Sequence, residues 1–319
     1  MKSIFLINVV CFLSIILLAC TDNKQIADPD FIPQNKHSRF SLNNAPVVLI
    51  DEKHHNFLTL SGRYKPFYDV LVSDGYNVQK SNATINEAQL NKADILVIAN
   101  ALDKNRHDWQ PPYNNALSAK EVAAIKQWVL HGGSLFLVAD HAPFPRFIKN
   151  LSDEFGFEFS NGHVANAQFN LNNKTLTAHV ITKPNDIKNP ARFAPSLSWP
   201  VLRRNRSNYV DHVRTFGGSA FKPPAKAISL LTLGDEAVSV IPTIPFKINS
   251  QTPRVSMKGW SQGAILKIGK GRVAVFSEGM MFSSQVEVKT GDKFGLTSPG
   301  ADQNELFLLN VMAWLSKEI

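Results

Sequence analysis

Two apolar runs, Asp94-Ile-Leu-Val-Ile-Ala-Asn100 and Ser134-Leu-Phe-Leu-Val-Ala-Asp140, decide the fold of this chain. Each run is short, continuously apolar and followed by polar residues, which is typical of a strand that is buried on both faces. Between them, Ser118-Ala-Lys-Glu121 has the spacing of a capping box and predicts the start of a helix. A strand, a helix and a second such strand indicate a parallel sheet covered by helices.

The sequence on either side repeats this alternation. Pro46-Val-Val-Leu-Ile-Asp51 predicts an earlier buried strand, Tyr64 to Gly75 a helix, and Tyr76-Asn-Val-Gln another strand. Residues 264–268 and 272–276 predict a hairpin that returns to the sheet, and a final helix follows it. The chain is therefore predicted to be α/β, with a flavodoxin-like, doubly wound, mostly parallel sheet and a C-terminal hairpin plus helix.

The regular pattern fades between residues 157 and 262. Only weak strand signals occur there, over Thr177–Ile181, Ala227–Leu233 and Ala237–Ile241. The Pro- and Arg-rich stretch 183–226 has no clear period and is too long for a plain loop, so its role stays open. We therefore expect 157–262 to form an irregular insertion that caps the sheet.

The first twenty residues predict an export signal and a lipid anchor. Met1-Lys2 precedes an apolar run from Ile4 to Leu18, which is shorter than a membrane-spanning helix requires. The run ends in Leu17-Leu18-Ala19-Cys20, which resembles a bacterial lipobox, so we expect residues 1–19 to be a signal peptide and Cys20 to carry acyl chains such as palmitate. An uncleaved signal anchor is the alternative. Polar residues 20–45 are then a tether, and 46–319 the folded domain.

Composition narrows the partners and the chemistry. Removing residues 1–19 takes away Lys2 and no acidic residue, so the formal charge of +8 becomes +7. The basic residues are spread along the chain without a basic and aromatic stripe, so we expect no nucleic-acid partner. The only other cysteine, Cys11, lies in the predicted signal, so a cysteine nucleophile and an internal disulfide are excluded from the mature domain. The expected partner is the membrane, through lipidated Cys20. Because Thr21 follows that cysteine, resemblance to sorted lipoproteins places the protein on the outer membrane, facing the periplasm, if its host has two membranes.

Ionisable and amide side chains follow several predicted strands, at the sheet edge where open α/β folds bind their ligands. The candidates for catalysis are Asp51, His55, Asp140, His141 and Glu278. The candidates for ligand binding are Glu52, His54, Asn56, Asn100 and His163, the last in a predicted turn. Neighbours in an extended chain point in opposite directions, so we expect only one of His54 and His55 to enter a shared pocket.

This set of side chains allows more than one chemistry. Two imidazoles and carboxylates can hold a divalent metal such as zinc with an open position for water. The same groups can act without metal, with a carboxylate that orients a histidine general base. The alternative for each residue is structural, because Asp140 can cap a helix near Pro143 and Asp51 can bind loop amides.

Three segments resemble an uncharacterised bacterial lipoprotein family, a domain of unknown function within the class I glutamine amidotransferase-like superfamily. They are Ile50-Asp-Glu-Lys-His-His-Asn-Phe57, Leu137-Val-Ala-Asp-His-Ala-Pro-Phe144 and Val275-Phe-Ser-Glu-Gly-Met-Met-Phe282. In true amidotransferases of this superfamily, the strand before the nucleophile ends in Gly-x-Cys-x-Gly. Here Val138-Ala-Asp-His-Ala142 stands in its place, so the resemblance implies the fold but not the thioester chemistry.

Two functions follow from these observations. The first is a membrane-anchored, non-thiol hydrolase that acts on an envelope-related or small polar substrate through the His/Asp/Glu cluster. The alternative is a non-catalytic lipoprotein of the cell envelope that binds a small polar ligand or glycan, or serves as a scaffold. Convergence of Asp51, Asp140, His141 and Glu278 in one site is the feature that the hydrolase requires.

Overall fold

The computed structural model describes residues 24–106, 108–182 and 209–319. The predicted signal peptide, Cys20 and residues 183–208 of the insertion lie outside the described residues. The described strands of the first half are β1 (Gln25–Ala27), β2 (Val47–Asp51), β3 (Asn77–Ser81), β4 (Ile95–Ala99), β5 (Ser134–Val138), β6 (Glu158–Ser160), β7 (His163–Val164) and β8 (Ala167–Asn170). Those of the second half are β9 (His212–Thr215), β10 (Ala220–Lys222), β11 (Ile228–Thr232), β12 (Val238–Val240), β13 (Arg254–Ser256), β14 (Ser261–Ile268), β15 (Gly271–Phe276), β16 (Ser284–Glu287) and β17 (Lys293–Gly295). The described α-helices are α1 (Lys65–Ser73), α2 (Glu87–Leu90), α3 (Ala119–His131), α4 (Phe144–Phe147), α5 (Lys149–Glu154) and α6 (Asn304–Leu315).

A nine-stranded sheet forms the centre of the described fold, in the order β3-β2-β4-β5-β15-β14-β10-β6, with β11 also paired to β14. The neighbours from β3 to β15 run parallel, and the two apolar runs that decide the fold, β4 and β5, lie side by side. Beyond β15 the pairs are antiparallel. The carboxyl ends of β2, β4, β5 and β15 therefore meet at one edge, which we call the carboxyl edge.

Helices cover both faces of this sheet, as a doubly wound fold requires. Alternate residues of β5 enter different cores, because Phe136 faces one cluster and Leu135 the other. Helices α1 and α6 pack on the first face, and α3, α4 and α5 on the second. Each large apolar side chain that is fully buried in these clusters contributes roughly 1.5–3 kcal/mol. The flavodoxin-like prediction is confirmed, including the hairpin β14–β15 and the final helix.

The capping box predicted before α3 is present. The Glu121 backbone N–H donates to Ser118 Oγ at 3.3 Å, and the Ser118 backbone N–H donates to Glu121 Oε2 at 2.9 Å. Two of the amides that helix geometry leaves without partners are thereby satisfied, which places the start of α3 where the sequence predicted it.

The prediction of a free tether over residues 20–45 is wrong for its described part. Strand β1 pairs with β16, and the backbone N–H groups of Gln34 and Asn35 donate to the Glu305 carboxylate at 2.9 and 2.7 Å. The segment has no periodic apolar pattern that would predict this docking, although Phe31 and Phe40 pack against the core beside the backbone hydrogen bonds.

The described part of the insertion does more than cap the sheet. Strands β6, β10 and β11 extend the central sheet, while β7, β12 and β13 form a separate three-stranded sheet. The strand predicted over Thr177–Ile181 is absent there. Instead, the Thr182 hydroxyl donates to the Thr177 carbonyl at 2.7 Å and accepts the His179 N–H at 2.9 Å, which closes a turn. The expectation that His179 lies in a strand is therefore wrong.

Candidate functional site

The carboxyl ends of β4 and β5 are joined by Asn100 and Asp140. Asn100 Nδ2 donates to Asp140 Oδ2 at 2.7 Å, and the Asp140 backbone N–H donates to Asn100 Oδ1 at 2.9 Å. Asn100 has a φ of 53°, a left-handed conformation that asparagine adopts more readily than most residues. This reciprocal pair holds the half-buried Asp140 carboxylate at the carboxyl edge.

Asp140 and Glu278 together bind three successive backbone N–H groups. Asp140 Oδ1 accepts the Gly279 N–H at 2.5 Å, and the two Glu278 oxygens accept those of Met280 and Met281 at 2.6 and 2.9 Å. These amides begin the 3-10 helix Met280–Phe282, where no carbonyl of the helix can accept them. Both carboxylates therefore have a structural task at the place where the sequence predicted a catalytic acid.

Burial raises the pKa values of both Glu278 and Asp140. It raises the pKa of Glu278 from 4.5 to about 8, with a further contribution from the charge of Asp140. Burial also raises the pKa of Asp140, although His141, Asn100 and the Gly279 amide act to lower it. Two carboxylates that are close together in a region without water avoid carrying two charges. The pair therefore holds a proton at neutral pH.

A stacked pair of imidazoles lies beside Asp140. The rings of His141 and His163 are 4.7 Å apart and inclined by 19°. His141 Nδ1 lies 2.8 Å from the Ala142 carbonyl oxygen, so Nδ1 carries the hydrogen and Nε2 the lone pair when the ring is neutral. Burial, with the nearby charge of His141, lowers the pKa of His163 to about 4, so His163 is neutral at physiological pH. Among the described residues, its buried Nε2 has no hydrogen-bond partner.

Four aromatic side chains in contact with one another lie beside the imidazole pair and form what we call the aromatic rim: Phe57, Trp109, Phe144 and Phe246. Phe246 lies 5.3 Å from His141 and 5.5 Å from His163, and 55% of it is exposed. The Arg63 guanidinium lies 4.6 Å above the Phe57 ring, and its charge acts on Asp140. Phe144 is 2% exposed, so the accessible rings are mainly those of Phe57 and Phe246. With imidazole and guanidinium groups at one edge, they provide a surface for a polar ring. We call Asn100, Asp140, His141, His163, Glu278 and the aromatic rim the strand-end site.

Asp51 and His54 are not part of this site, contrary to the prediction. His54 Nδ1 contacts the two Asp51 oxygens at 3.0 and 2.9 Å, and its Nε2 contacts Glu121 Oε1 at 3.0 Å. Burial acts to lower the pKa of His54, but the hydrogen bond and charge of Asp51, together with Glu121, raise it overall. A buried imidazolium between two carboxylates ties the end of β2 to the start of α3. We call these three residues the buried triad.

The other predicted residues of the same loop serve the backbone or face solvent. Glu52 Oε1 accepts the Leu60 N–H at 2.7 Å, and Asn56 Nδ2 donates to the Ala99 carbonyl at 3.4 Å. His55 is exposed with a φ of 48°, so the expected roles of His55 as a catalytic base and of Glu52 and Asn56 as ligand contacts have no support in this geometry. The expectation that His54 and His55 point in different directions is confirmed, but neither enters the strand-end site.

Several residues at the strand-end site were missed by the sequence argument. Arg63 and Phe57 lie in the loop after β2, and Trp109 and Phe246 lie in irregular segments far apart in the sequence. No periodic pattern marks them, because their position depends on how loops from three parts of the chain meet. Tyr64, whose hydroxyl donates to the Gly279 carbonyl at 3.1 Å, was identified only as the start of a helix.

A metal site is not found among the described residues, where no three His, Cys, Asp or Glu side chains are placed to hold an ion. The predicted set fails because His54 and Asp51 bind each other, while Asp140 and Glu278 bind backbone amides. Two shallow depressions of about 320 and 190 Å³ lie elsewhere, along α3 and α5 and at the opposite edge of the sheet. The described helices include none that is long and apolar enough to cross a membrane.

Comparison with known proteins supports the fold and nothing finer. No family model matches the chain, and no curated protein matches it. Among solved structures, the "mmIFT52 N-terminal domain" is 15% identical over 84% of this chain and 97% of its own, with a TM-score of 0.55. A thua-like protein from Bacteroides uniformis is 13% identical over 90% of this chain and 95% of its own (TM-score 0.44). A gmp synthase subunit a protein from Thermoplasma acidophilum is 9% identical over 85% and 96% (TM-score 0.39). The chain has a flavodoxin-like α/β fold with a mostly parallel central sheet, and the mmIFT52 domain is similar to it over most of its length.

Proposed function

We propose that this protein is a lipid-anchored lipoprotein of the cell envelope that binds a small polar ligand, such as a glycan unit, at the strand-end site. The observation that carries the proposal is the stacked His141–His163 pair inside the aromatic rim. Flat aromatic faces bind the apolar face of a sugar ring, while neutral imidazole nitrogens hydrogen-bond its hydroxyl groups. The Nε2 of His141 is such a nitrogen, since its Nδ1 is hydrogen-bonded to the Ala142 carbonyl, and the ring of His163 stacks against it.

Binding is favoured over hydrolysis because most acidic groups at the carboxyl edge already have hydrogen-bond partners. Asp51 belongs to the buried triad, so the four-residue convergence that a hydrolase requires does not occur. Glu278 is 2% exposed and its two oxygens accept backbone amides, which leaves it without access to a substrate. A general acid must reach the leaving group, and this one does not.

The anchor part of the proposal follows from the lipobox-like sequence at Cys20. Acyl chains on that cysteine hold the protein at the membrane, and Thr21 favours the outer membrane, facing the periplasm, in a host with two membranes. Intact-mass measurement of the protein from membranes tests this step. Loss of residues 1–19 and added acyl mass support it, and an unmodified N-terminus contradicts it.

Ligand binding is tested by calorimetric titration and thermal shift with neutral and acidic oligosaccharides, including cell-wall fragments. We expect one class to bind the wild-type protein and to lose at least tenfold in affinity in Phe246→Ala and His163→Ala, since tenfold corresponds to about 1.4 kcal/mol. Ile228→Ala is the control, because Ile228 is 42% exposed on β11 and is not part of the strand-end site. Equal losses in all three variants, or no binding by any saccharide class, contradict the proposal.

A hydrolase that uses His141 and Asp140 without Asp51 and Glu278 is a second candidate. His141 has a defined tautomer, with Nε2 able to accept a proton, and lies beside Asp140. Turnover of a bound oligosaccharide that is lost in His141→Ala, while affinity is retained, would favour hydrolysis. If the wild-type protein binds the oligosaccharide but does not turn it over, binding alone is favoured.

A further inference from the structure

The described chain begins at the same edge of the fold as the strand-end site. Strand β1 pairs with β16, and the Val288 N–H donates to the Lys24 carbonyl at 3.0 Å. One residue later, the Gln25 carbonyl accepts the Arg63 Nε–H at 2.9 Å. The first described residues are therefore fixed to the body of the protein on both sides of β1.

Arg63 contacts both the first described residues and the strand-end site. Its guanidinium lies over Phe57 of the aromatic rim, and its charge acts on Asp140. Its carbonyl accepts the Ser283 hydroxyl, and Ser283 follows the 3-10 helix that Glu278 caps. The chain consequently leaves the fold at the carboxyl edge, beside the strand-end site.

The distance from that exit to the predicted anchor is short. Cys20 is four residues before Lys24, and four fully extended residues span at most ~14 Å. A free tether over all of residues 20–45 would let the domain rotate at a distance from the bilayer. Because residues from Gln25 onward dock on the fold, the carboxyl edge stays within that short reach of the acylated residue.

The surface around the exit suits a lipid interface. Val288 and Ile26 are apolar side chains with exposed fractions of 54% and 38%. Lys24 and Lys289 are exposed beside them. Apolar side chains flanked by lysines bind the boundary of an anionic bilayer, each lysine near the surface being worth about 1 kcal/mol.

We propose that the carboxyl edge of the sheet faces the bilayer, with Val288, Ile26, Lys24 and Lys289 against the lipid headgroups. This inference rests on the proposed acylation of Cys20. It implies that the strand-end site takes its ligand from the layer next to the membrane surface, because Arg63, which binds the Gln25 carbonyl, lies over Phe57 of the aromatic rim.

The test uses the full chain purified from membranes and placed in vesicles of zwitterionic and anionic phospholipid, some of which carry a nitroxide on the headgroup. Cys11 is lost with the signal and Cys20 is blocked by acylation, so Val288→Cys has a single reactive thiol for a fluorophore. Lys270→Cys is the matched control, because Lys270 is exposed in the β14–β15 turn, at the opposite edge of the sheet. We expect the nitroxide lipid to remove most of the fluorescence at position 288 and little at position 270.

Failure of the anchor and failure of the orientation give different results. If the wild-type protein does not float with the vesicles, acylation is refuted, and both proposals lose their anchor. If it floats but the two labels are quenched equally, or the label at 270 more strongly, the orientation alone is refuted. The labelled residues 21–319, which lack both Cys11 and Cys20, should stay in solution with both labels unquenched. Quenching of this form at position 288 would show that the anchor is not required.

Discussion

Replacing His54 by alanine is the sharpest test of how the loop after β2 is held. In the buried triad, this imidazole contacts Asp51 at 2.9 Å on one side and Glu121 at 3.0 Å on the other. The side chains of Asp51, His54 and Glu121 are 0, 8 and 7% exposed, so water does not replace a lost partner. His54→Ala therefore leaves two buried carboxylates without their shared cation.

The expected loss follows from that burial. Removing one partner of a buried ion pair costs about 3–5 kcal/mol, because the remaining charge stays out of water. Glu121 keeps its bonds to Ser118 and to the Ile85 N–H at 3.1 Å, which limits the loss on that side. We expect a fall of about 3–4 kcal/mol in the free energy of unfolding at neutral pH.

His55→Ala is the matched control, because it changes the same residue type one position later. His55 is exposed, so we expect its replacement to change stability by no more than about 0.5 kcal/mol. Urea denaturation followed by tryptophan fluorescence measures both variants. The double variant His54→Ala/Glu121→Gln should lose less than the sum of the single variants, because the two residues are in contact. Equal stability of His54→Ala and His55→Ala would refute the buried triad as a stabilising element.

The pH dependence gives an independent check. The folded pKa of His54 is raised above the ordinary 6.5, so the folded state holds a proton that the unfolded chain releases. Its contribution to stability is complete below pH 6.5 and is lost as the pH rises through the folded pKa. The measurement is the slope of the free energy of unfolding against pH. The part of that slope that disappears in His54→Ala is the contribution of His54.

Three further predictions concern the carboxyl edge. The pKa of Glu278 is raised from 4.5 to about 8, so its contribution to the free energy of unfolding should decrease as the pH rises between those values. Urea denaturation across that range should show this decrease in the wild-type protein and not in Glu278→Gln. Asp140→Asn should lower the free energy of unfolding by about 1–3 kcal/mol in the same assay, because the new amide nitrogen would face a donor, either the Gly279 N–H or Asn100 Nδ2. Unchanged stability would contradict the hydrogen bonds described. Gly218→Ala should lower the melting temperature strongly, because Gly218 has a φ of 89° and a Cβ there would lie 2.1 Å from the Ser277 carbonyl; Gly234→Ala, where a Cβ meets nothing within 4 Å, is its control.

The parallel core could be predicted from the sequence because its signals are local. Strands β4 and β5 are continuous apolar runs, and the capping box at Ser118 lies within four residues. Each signal depends on residues that are neighbours in the chain, so a single sequence contains it in full.

The antiparallel side of the sheet could not be predicted in the same way. Strand β10 is three residues long and pairs with β6, about sixty residues earlier in the chain. Pairing at that separation depends on tertiary contacts, and a three-residue strand has too few side chains to show a period. The docking of β1 on β16 was missed for the same reason.

The sequence predicted where the candidate site lies more accurately than it predicted which residues belong to it. Polar side chains do follow the buried strands, and Asn100, Asp140, His141 and Glu278 do meet at the carboxyl edge. The sequence could not show which of them were already bound. Whether a carboxylate meets a backbone amide or solvent depends on loop conformation, which one sequence does not reveal.

A high density of ionisable groups at strand ends is therefore weak evidence for catalysis in this fold. A buried strand that stops abruptly leaves backbone N–H groups where water does not reach, and a carboxylate is the strongest acceptor for them. Asp140 and Glu278 satisfy three such groups, and the buried triad ties a loop to a helix. Once these tasks are assigned, the groups with capacity for a ligand are the imidazoles of His141 and His163 within the aromatic rim. Those groups are suited to recognition of a polar ring, and for that reason binding is the function that we propose.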